Sequence, residues 1–201
     1  MDEYTMFAAL TTDRLILRPL KLSDAEQAQQ LFPQWEIVKY LNAKVPWPFP
    51  PDGVFNFYRE VSLPAIARGD EWHWTLRLKD APNQLIGAIS LQRHERVNRG
   101  FWLAPSWQRQ GLMTEAVAAA NDYWFDVLGF AVLRVPKAVD NIASRRISEK
   151  TGMRVIDTFV GDYVCGRLPS EMWEITAAEW RKHRQLLYST ARIRAQSTGN
   201  G

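Results

Sequence analysis

Where the apolar run "GFWLAP" gives way to a helical period, the chain places Gln108-Arg109-Gln110-Gly111-Leu112-Met113. The first amides of a helix find no acceptor inside it, and the aligned peptide dipoles make that end attractive to anions. Gly111 removes the Cβ that would hold a phosphate off the backbone, and Gln108 and Arg109 add donors. The stretch therefore reads as a pyrophosphate cradle. It has neither the GxxxxGK[ST] of a Walker loop nor the glycine pattern of a dinucleotide fingerprint. A plain strand-to-helix turn would also use a glycine here, so the neighbouring segments must decide.

A second candidate lies in "NIASRRISEK". Asn141, Ser144 and Ser148 recur at i, i+3 and i+7, which sets them in one polar stripe on a short helix. Such a stripe serves as a cap with a solvated face or as the wall of a groove. Cys165 is the sole cysteine and has no matched base, so it is not read as a nucleophile and no intrachain disulfide is available. With three scattered histidines it offers no metal-site spacing. His73 and His94 are lone strand or turn histidines, and Glu115 is an ordinary first-turn acid.

The elements that must position these groups follow from periodicity. "DRLILRPL" alternates as a first strand, and "SDAEQAQQLF" reads as a helix with a capping box at Ser23 and Glu26. "KVPWPFPPDG" is a stiff loop, and residues 54–67 are helical up to Pro64, which should kink or end them. In "EWHWTLRLK" Trp72, Trp74, Leu76 and Leu78 share one face, which predicts a half-buried strand. "LIGAISLQR" and "RGFWLAP" follow after short turns as an antiparallel meander. Apolar positions 112, 113, 116, 117, 120, 124, 127 and 128 then mark a helix that Gly129 stops. "AVLRVPKAV" is a strand, Asn141 caps the next helix and Gly152 closes it. "MRVIDTFV" and "EMWEIT" are two last strands around a "GDYVCGRLP" loop, and a basic helix with a fraying tail ends the chain. The sum is one α/β domain with a central mixed sheet.

This combination resembles the GNAT superfamily of acetyl-CoA-dependent N-acetyltransferases, in particular its RimJ/RimL branch. "QRQGLM" followed by Thr114-Glu115-Ala116, "DRLILRPL", "LIGAISL" and "NIASRRISEKTGM" carry the likeness over nearly the whole chain. The resemblance implies an α/β (α+β) GNAT fold, a mostly antiparallel mixed sheet of seven strands flanked by helices. It implies one domain over residues 1–201, with the core at 10–182 and a basic helix and tail at 183–201. Acetyl-CoA is the implied co-substrate, with no metal. Its pyrophosphate would rest on Gln108, Arg109, Gln110, Gly111, Leu112, Met113 and Thr114. Its pantetheine arm would bond Asn141; Leu103, Ala104 and Ser144 would also contact the cofactor, and Arg145 and Arg146 would reach the 3′-phosphate. Ser148 stands where many relatives carry the tyrosine that protonates the leaving thiolate, and a hydroxyl can donate that proton. The Leu103 amide would hold the tetrahedral oxyanion. Relatives often keep a carboxylate before "GFWL", where this chain has Asn98 and Arg99, so Asp157 is the preferred base, ahead of Glu95. Trp47, Phe49 and Tyr58 would line the acceptor slot.

Composition bounds the partners. A net charge of +3 is too small to argue for nucleic acid, and 46% hydrophobic with 23% charged residues suits a soluble domain. No apolar run of about 18 residues occurs, and the acidic start is unlike a signal peptide, so a cytoplasmic, membrane-free protein is expected. Monomer and homodimer both remain open. The leading expectation is acetylation of a protein N-terminal amine. A small amine (antibiotic, polyamine or amino acid) is a second acceptor class. A non-catalytic CoA-binding module is a third reading, and RNA contact by the basic tail a fourth.

Overall fold

Five antiparallel strands run in the order β1-β2-β3-β4-β5: β1 (Leu10–Thr11), β2 (Leu15–Pro19), β3 (Glu71–Leu78), β4 (Gly87–Gln92) and β5 (Arg99–Leu103). Three more, β6 (Val132–Ala138), β7 (Arg154–Tyr163) and β8 (Gly166–Thr176), form a second sheet in the order β6-β8-β7. The computed structural model describes residues 7–198, the side chains of 188 and 190–198 excepted. The acidic start (1–6), the side chains of Arg192 and Arg194 and the last three tail residues lie outside the described residues.

The expected meander is present, with Trp74 opposite Ile89 and Ile89 opposite Phe101. β3 is not half buried, because both its faces are covered. Trp74 and Leu76 lie in the core, where Tyr123, just past the end of the helix α5 (Leu112–Asp122), meets the Trp74 ring edge-on at 5.2 Å. On the other face Thr75 and Arg77 are also buried, and Asp24 pairs with Arg77 at 2.6 Å. That pairing moves the first cap. A 3-10 turn (Leu22–Asp24) precedes α1 (Ala25–Leu31), and the second oxygen of Asp24 accepts the Lys21 amide at 3.0 Å, in place of the expected box at Ser23 and Glu26.

α2 (Trp35–Val38) leads into the proline-rich loop. α3 (Gly53–Phe57) then passes through a π turn (Tyr58–Ser62) into α4 (Leu63–Ala67). Pro64 neither ends nor breaks this helix. The π turn, closed by the Leu63 N–H on the Tyr58 carbonyl, widens the backbone where a proline ring would press on the carbonyl four residues back. α5 likewise ends in a π turn (Tyr123–Val127), and Gly129 stops it with φ +72°. α6 (Ile142–Lys150) has the expected Asn141 cap and is followed by Gly152 at φ +77°. α7 (Ala177–Thr198) begins with a capping box, Thr176 and Glu179 each accepting the other's amide.

"GDYVCGRLP" is strand rather than loop. β7 and β8 close on each other with Tyr163 opposite Gly166, leaving only Val164 and Cys165 as the turn. The tip is held from outside: Val164 N–H donates to the Leu41 carbonyl at 3.0 Å and Cys165 N–H to that of Lys39 at 3.1 Å.

Candidate active site

The two sheets meet at β5 and β6, and they touch at one end. Asn98 N–H donates to the Arg134 carbonyl at 2.8 Å, and the Asn98 side-chain oxygen accepts the Arg134 N–H at 2.7 Å. Past that point the strands part. Val139 N–H bonds the Pro169 carbonyl on the β8 side, so the alternation of antiparallel pairing turns Arg134, Pro136 and Ala138 toward β5. Pro136 has no N–H, so β6 has no donor to continue the ladder there. On the facing wall Ala104 N–H goes to the Ile86 carbonyl at 2.9 Å, and the same alternation leaves the Phe101 and Leu103 amides aimed into the gap. The result is a slot whose walls carry unpaired backbone donors, with its wide end at Leu103.

The cradle stands at that wide end. Gly111 is the N-cap of α5 with φ +79°, and no side chain caps the helix, so the amides of its first turn are open. Arg109 is also left-handed, at φ +63°, a costly setting for a residue with a Cβ. Leu112 and Met113 bury their side chains and can offer only backbone N–H; Thr114 is half-buried. Gln108 and Gln110 do not point outward as donors. Their side-chain amides fold back onto the carbonyls of Leu103 (2.9 Å) and Ser106 (3.2 Å), fixing the loop. Arg109 is exposed and makes no ion pair among the described residues. A Cβ added at Gly111 would stand 3.5 Å from Arg14 Nη2, an ordinary contact, so φ and the approach of a ligand, not a clash within the chain, call for glycine.

Arg14 itself was not legible as a cradle residue. From β2's leading turn it donates to the Gln110 carbonyl at 2.9 Å and pairs with Glu115 at 2.8 Å, keeping Nη2 beside Gly111. Burial alone would raise the Glu115 pKa, but hydrogen bonds from Thr12 and from Arg14 hold it below its ordinary value. Glu115 is a strut and not a base.

On the α6 side Asn141 accepts the Ser144 amide at 3.2 Å, and Ser144 Oγ accepts from Lys137 Nζ at 2.6 Å. Ser148 is fully buried and its hydroxyl has no partner. Three of the expected residues already have partners. Arg145 is held by Glu171 through two bonds of 2.9 and 3.1 Å. Ala104 gives its N–H to Ile86 and its carbonyl to Trp107, so its backbone is committed. Asp157 sits beside a β-bulge on β7, exposed, with the Thr158 amide on one oxygen. Its other oxygen faces Arg96 of the β4–β5 turn at 3.9 Å, and β7 lies two strands beyond β6, roughly 10 Å away.

The aromatic residues divide. Phe49 packs edge-on against Phe32 (5.1 Å), and Phe32 against Trp102 of β5 (5.4 Å). Trp47 is 43% exposed and leans on Trp35. Tyr58 is core and does not line a slot; burial, with Asp24 nearby, raises its phenol pKa.

Two further buried groups were missed: Arg99 on β5 and Lys137 on β6. Burial lowers the Arg99 pKa to about 9. Burial and then the charge of Arg99 push Lys137 well below its usual value. The signal available was alternation, since Leu133, Val135 and Lys137 share one face of β6.

This strand-gap-helix arrangement defines a class. Residues 14–154 match the acetyltransferase (GNAT) domain, and the chain belongs to that family of acyltransferases. It is similar to the uncharacterized N-acetyltransferase YoaA of Bacillus subtilis (strain 168), 29% identical over 153 residues, covering 74% of this chain and 84% of YoaA. In fold it is similar to Mycobacterium smegmatis RimJ in complex with CoA-disulfide, with a TM-score of 0.74 and 15% identity over 90% of this chain and 94% of that one. It is also similar to spermidine N-acetyltransferase from Vibrio cholerae in complex with CoA and spermine, at 0.68 and 21% over 83% and 97%. Among the described residues no helix is long and apolar enough to cross a membrane, and no cluster could hold a metal ion.

Proposed function

We propose that this protein transfers an acyl group from a CoA thioester, acetyl-CoA in the first instance, to the α-amine of a protein N-terminus by direct attack in a ternary complex. The observation that carries the reading is the slot itself: open amides at the α5 N-terminus, continuous with a β5/β6 gap that β6 cannot close at Pro136. The α5 amides, with Arg109 and Arg14, hold the pyrophosphate. Asn141 and the Phe101 amide take the pantetheine arm, and the Leu103 amide receives the oxyanion. Ser148, a buried hydroxyl without a partner, donates a hydrogen bond to the leaving sulfur, which takes up the amine's surplus proton.

The α-amine is preferred for a chemical reason. Its pKa of about 7.7–8.0 leaves part of it neutral at pH 7, so it needs little help from a base. The aromatic run Trp47, Phe49, Phe32 and Trp102 offers an uncharged acceptor wall.

Calorimetry with acetyl-CoA, CoA and dephospho-CoA tests the cradle, followed by thiol release with N-terminal peptides and polyamines. Binding of the first two and turnover on peptides are expected. No binding of any CoA species would overturn the reading, and turnover on polyamines alone would overturn the acceptor.

A further inference from the structure

We infer that the floor of the β5/β6 gap is a carboxylate site, and that the preferred donor is the CoA thioester of a dicarboxylic acid of three or four carbons. This rests on the reading of the slot just given.

Arg99 is 4% exposed and Lys137 6%, and they approach each other from the two strands that form the gap. Their partners are neutral. Arg99 donates to Asn121 Oδ1 at 2.5 Å and to Met153 Sδ at 3.5 Å. Lys137 donates to Ser144 Oγ and lies 5.4 Å from the centre of the Phe101 ring. Among the described residues no carboxylate pairs with either cation. Arg77, also buried, differs in having a carboxylate, Asp24 at 2.6 Å, although its Nε too lacks a partner. Glu171 stands opposite Lys137 across β6 and β8, but Arg145 holds both its oxygens and the Trp173 indole N–H shares one.

The same cluster contains three buried polar atoms without a partner: Arg99 Nε, Asn121 Nδ2 and Ser148 Oγ. All three can donate. Two buried cations and three idle donors, with no acid, describe a place built for acceptor oxygens. Burial of an uncompensated charge is strongly penalised, and a bound carboxylate would relieve both cations and occupy the donors.

The carboxylate comes on the acyl group. The pyrophosphate is spent at the α5 N-terminus, far along the slot. The acceptor wall lies on the opposite face of β5, because alternation sets Trp102 away from Arg99 and Phe101. Ser148, beside the reacting sulfur in the proposed reading, belongs to the cluster through its carbonyl, which accepts the Met153 amide at 3.0 Å. An acyl chain hanging from that sulfur runs toward Lys137 and Arg99. In the transfer the amine nitrogen attacks the thioester carbon, the C–N bond forms and the C–S bond breaks. The sulfur leaves with the electron pair, the amine's surplus proton ends on it, and the remote carboxylate is unchanged.

Calorimetry on the full chain with acetyl-, butyryl-, malonyl- and succinyl-CoA tests this, since butyryl-CoA matches the succinyl chain length without its charge. Malonyl- or succinyl-CoA should bind about tenfold or more tighter than butyryl-CoA. Lys137→Met and Lys137→Gln should each bring that ratio to about one, with folding checked by circular dichroism. Equal binding of succinyl-, malonyl- and butyryl-CoA to the wild type overturns the inference while leaving the cradle intact if CoA still binds. Failure of every CoA species removes the proposed function as well. A preference that survives both Lys137 variants, or a Lys137-dependent effect confined to acceptors bearing a carboxylate, also overturns it.

Discussion

Asn98 and Arg134 exchange two hydrogen bonds, 2.8 Å from backbone to backbone and 2.7 Å from the Arg134 amide to the Asn98 side chain, and this exchange is where the two sheets are pinned together. Asn98 is buried, so its side chain replaces the second backbone bond that a regular ladder would make. The pin holds one end of β5 and β6 together while Pro136 keeps the rest apart. The slot is therefore a property of strand chemistry, present before any ligand arrives.

Gly111→Val should weaken binding of acetyl-CoA by about tenfold or more in calorimetry. A left-handed backbone costs a residue with a Cβ about 1–2 kcal/mol, and at φ +79° the new side chain would stand over the open amides. Unchanged affinity with intact helicity would remove Gly111 from the cradle.

Ser148→Ala separates chemistry from packing. Deleting a buried hydroxyl without a partner should leave the fold as stable as the wild type, or more stable by about 1 kcal/mol. Turnover should nevertheless fall, by about tenfold or more, with little change in CoA affinity. Full turnover in the variant would leave Ser148 as a wall residue.

Asp157→Asn should leave kcat and KM unchanged in the thiol-release assay, because the residue is exposed on β7, two strands from the gap. A large drop in kcat would return Asp157 to the chemistry.

Lys137→Met should change how stability depends on pH. In the folded ligand-free chain the Lys137 pKa is depressed by burial and then by Arg99, while the unfolded value is about 10.4. Between the two the unfolded chain holds the extra proton, so wild-type stability rises with pH across that window and is lowest below the folded pKa. Ser144, Phe101, Arg99 and, across the β6–β8 pair, Glu171 are the groups that face it. The variant lacks this term. Its stability advantage in urea titrations should be largest below the folded Lys137 pKa and shrink toward pH of about 10; a constant difference would mean that Lys137 is not titrating in that window.

The parts of the site legible in the sequence were those made by local chemistry. Gly111 at a helix start, and Asn141 three residues before Ser144, act within a turn of chain, so their types and spacing already state the structure. Alternation placed one buried face of β3, though it could not show that α1's leading turn brings Asp24 over Arg77 on the other. The resemblance put Tyr58 in the acceptor slot, but the helix phase turns it into the core.

Asp157 shows the other limit. It follows "GMRVI" closely in the chain after the CoA-contacting helix, yet β8 inserts between β6 and β7, and a non-sequential strand order carries it off the slot. By itself the sequence determined the strand and helix periods, the Asn141 cap and the family. Only the tertiary structure decided which side chains were already spent, Gln108 on Leu103, Arg145 on Glu171, Arg14 on Glu115, and which buried cations had no counterion. Whether a charge is paired depends on what the fold brings against it from distant parts of the chain, and neither period nor spacing contains that distance.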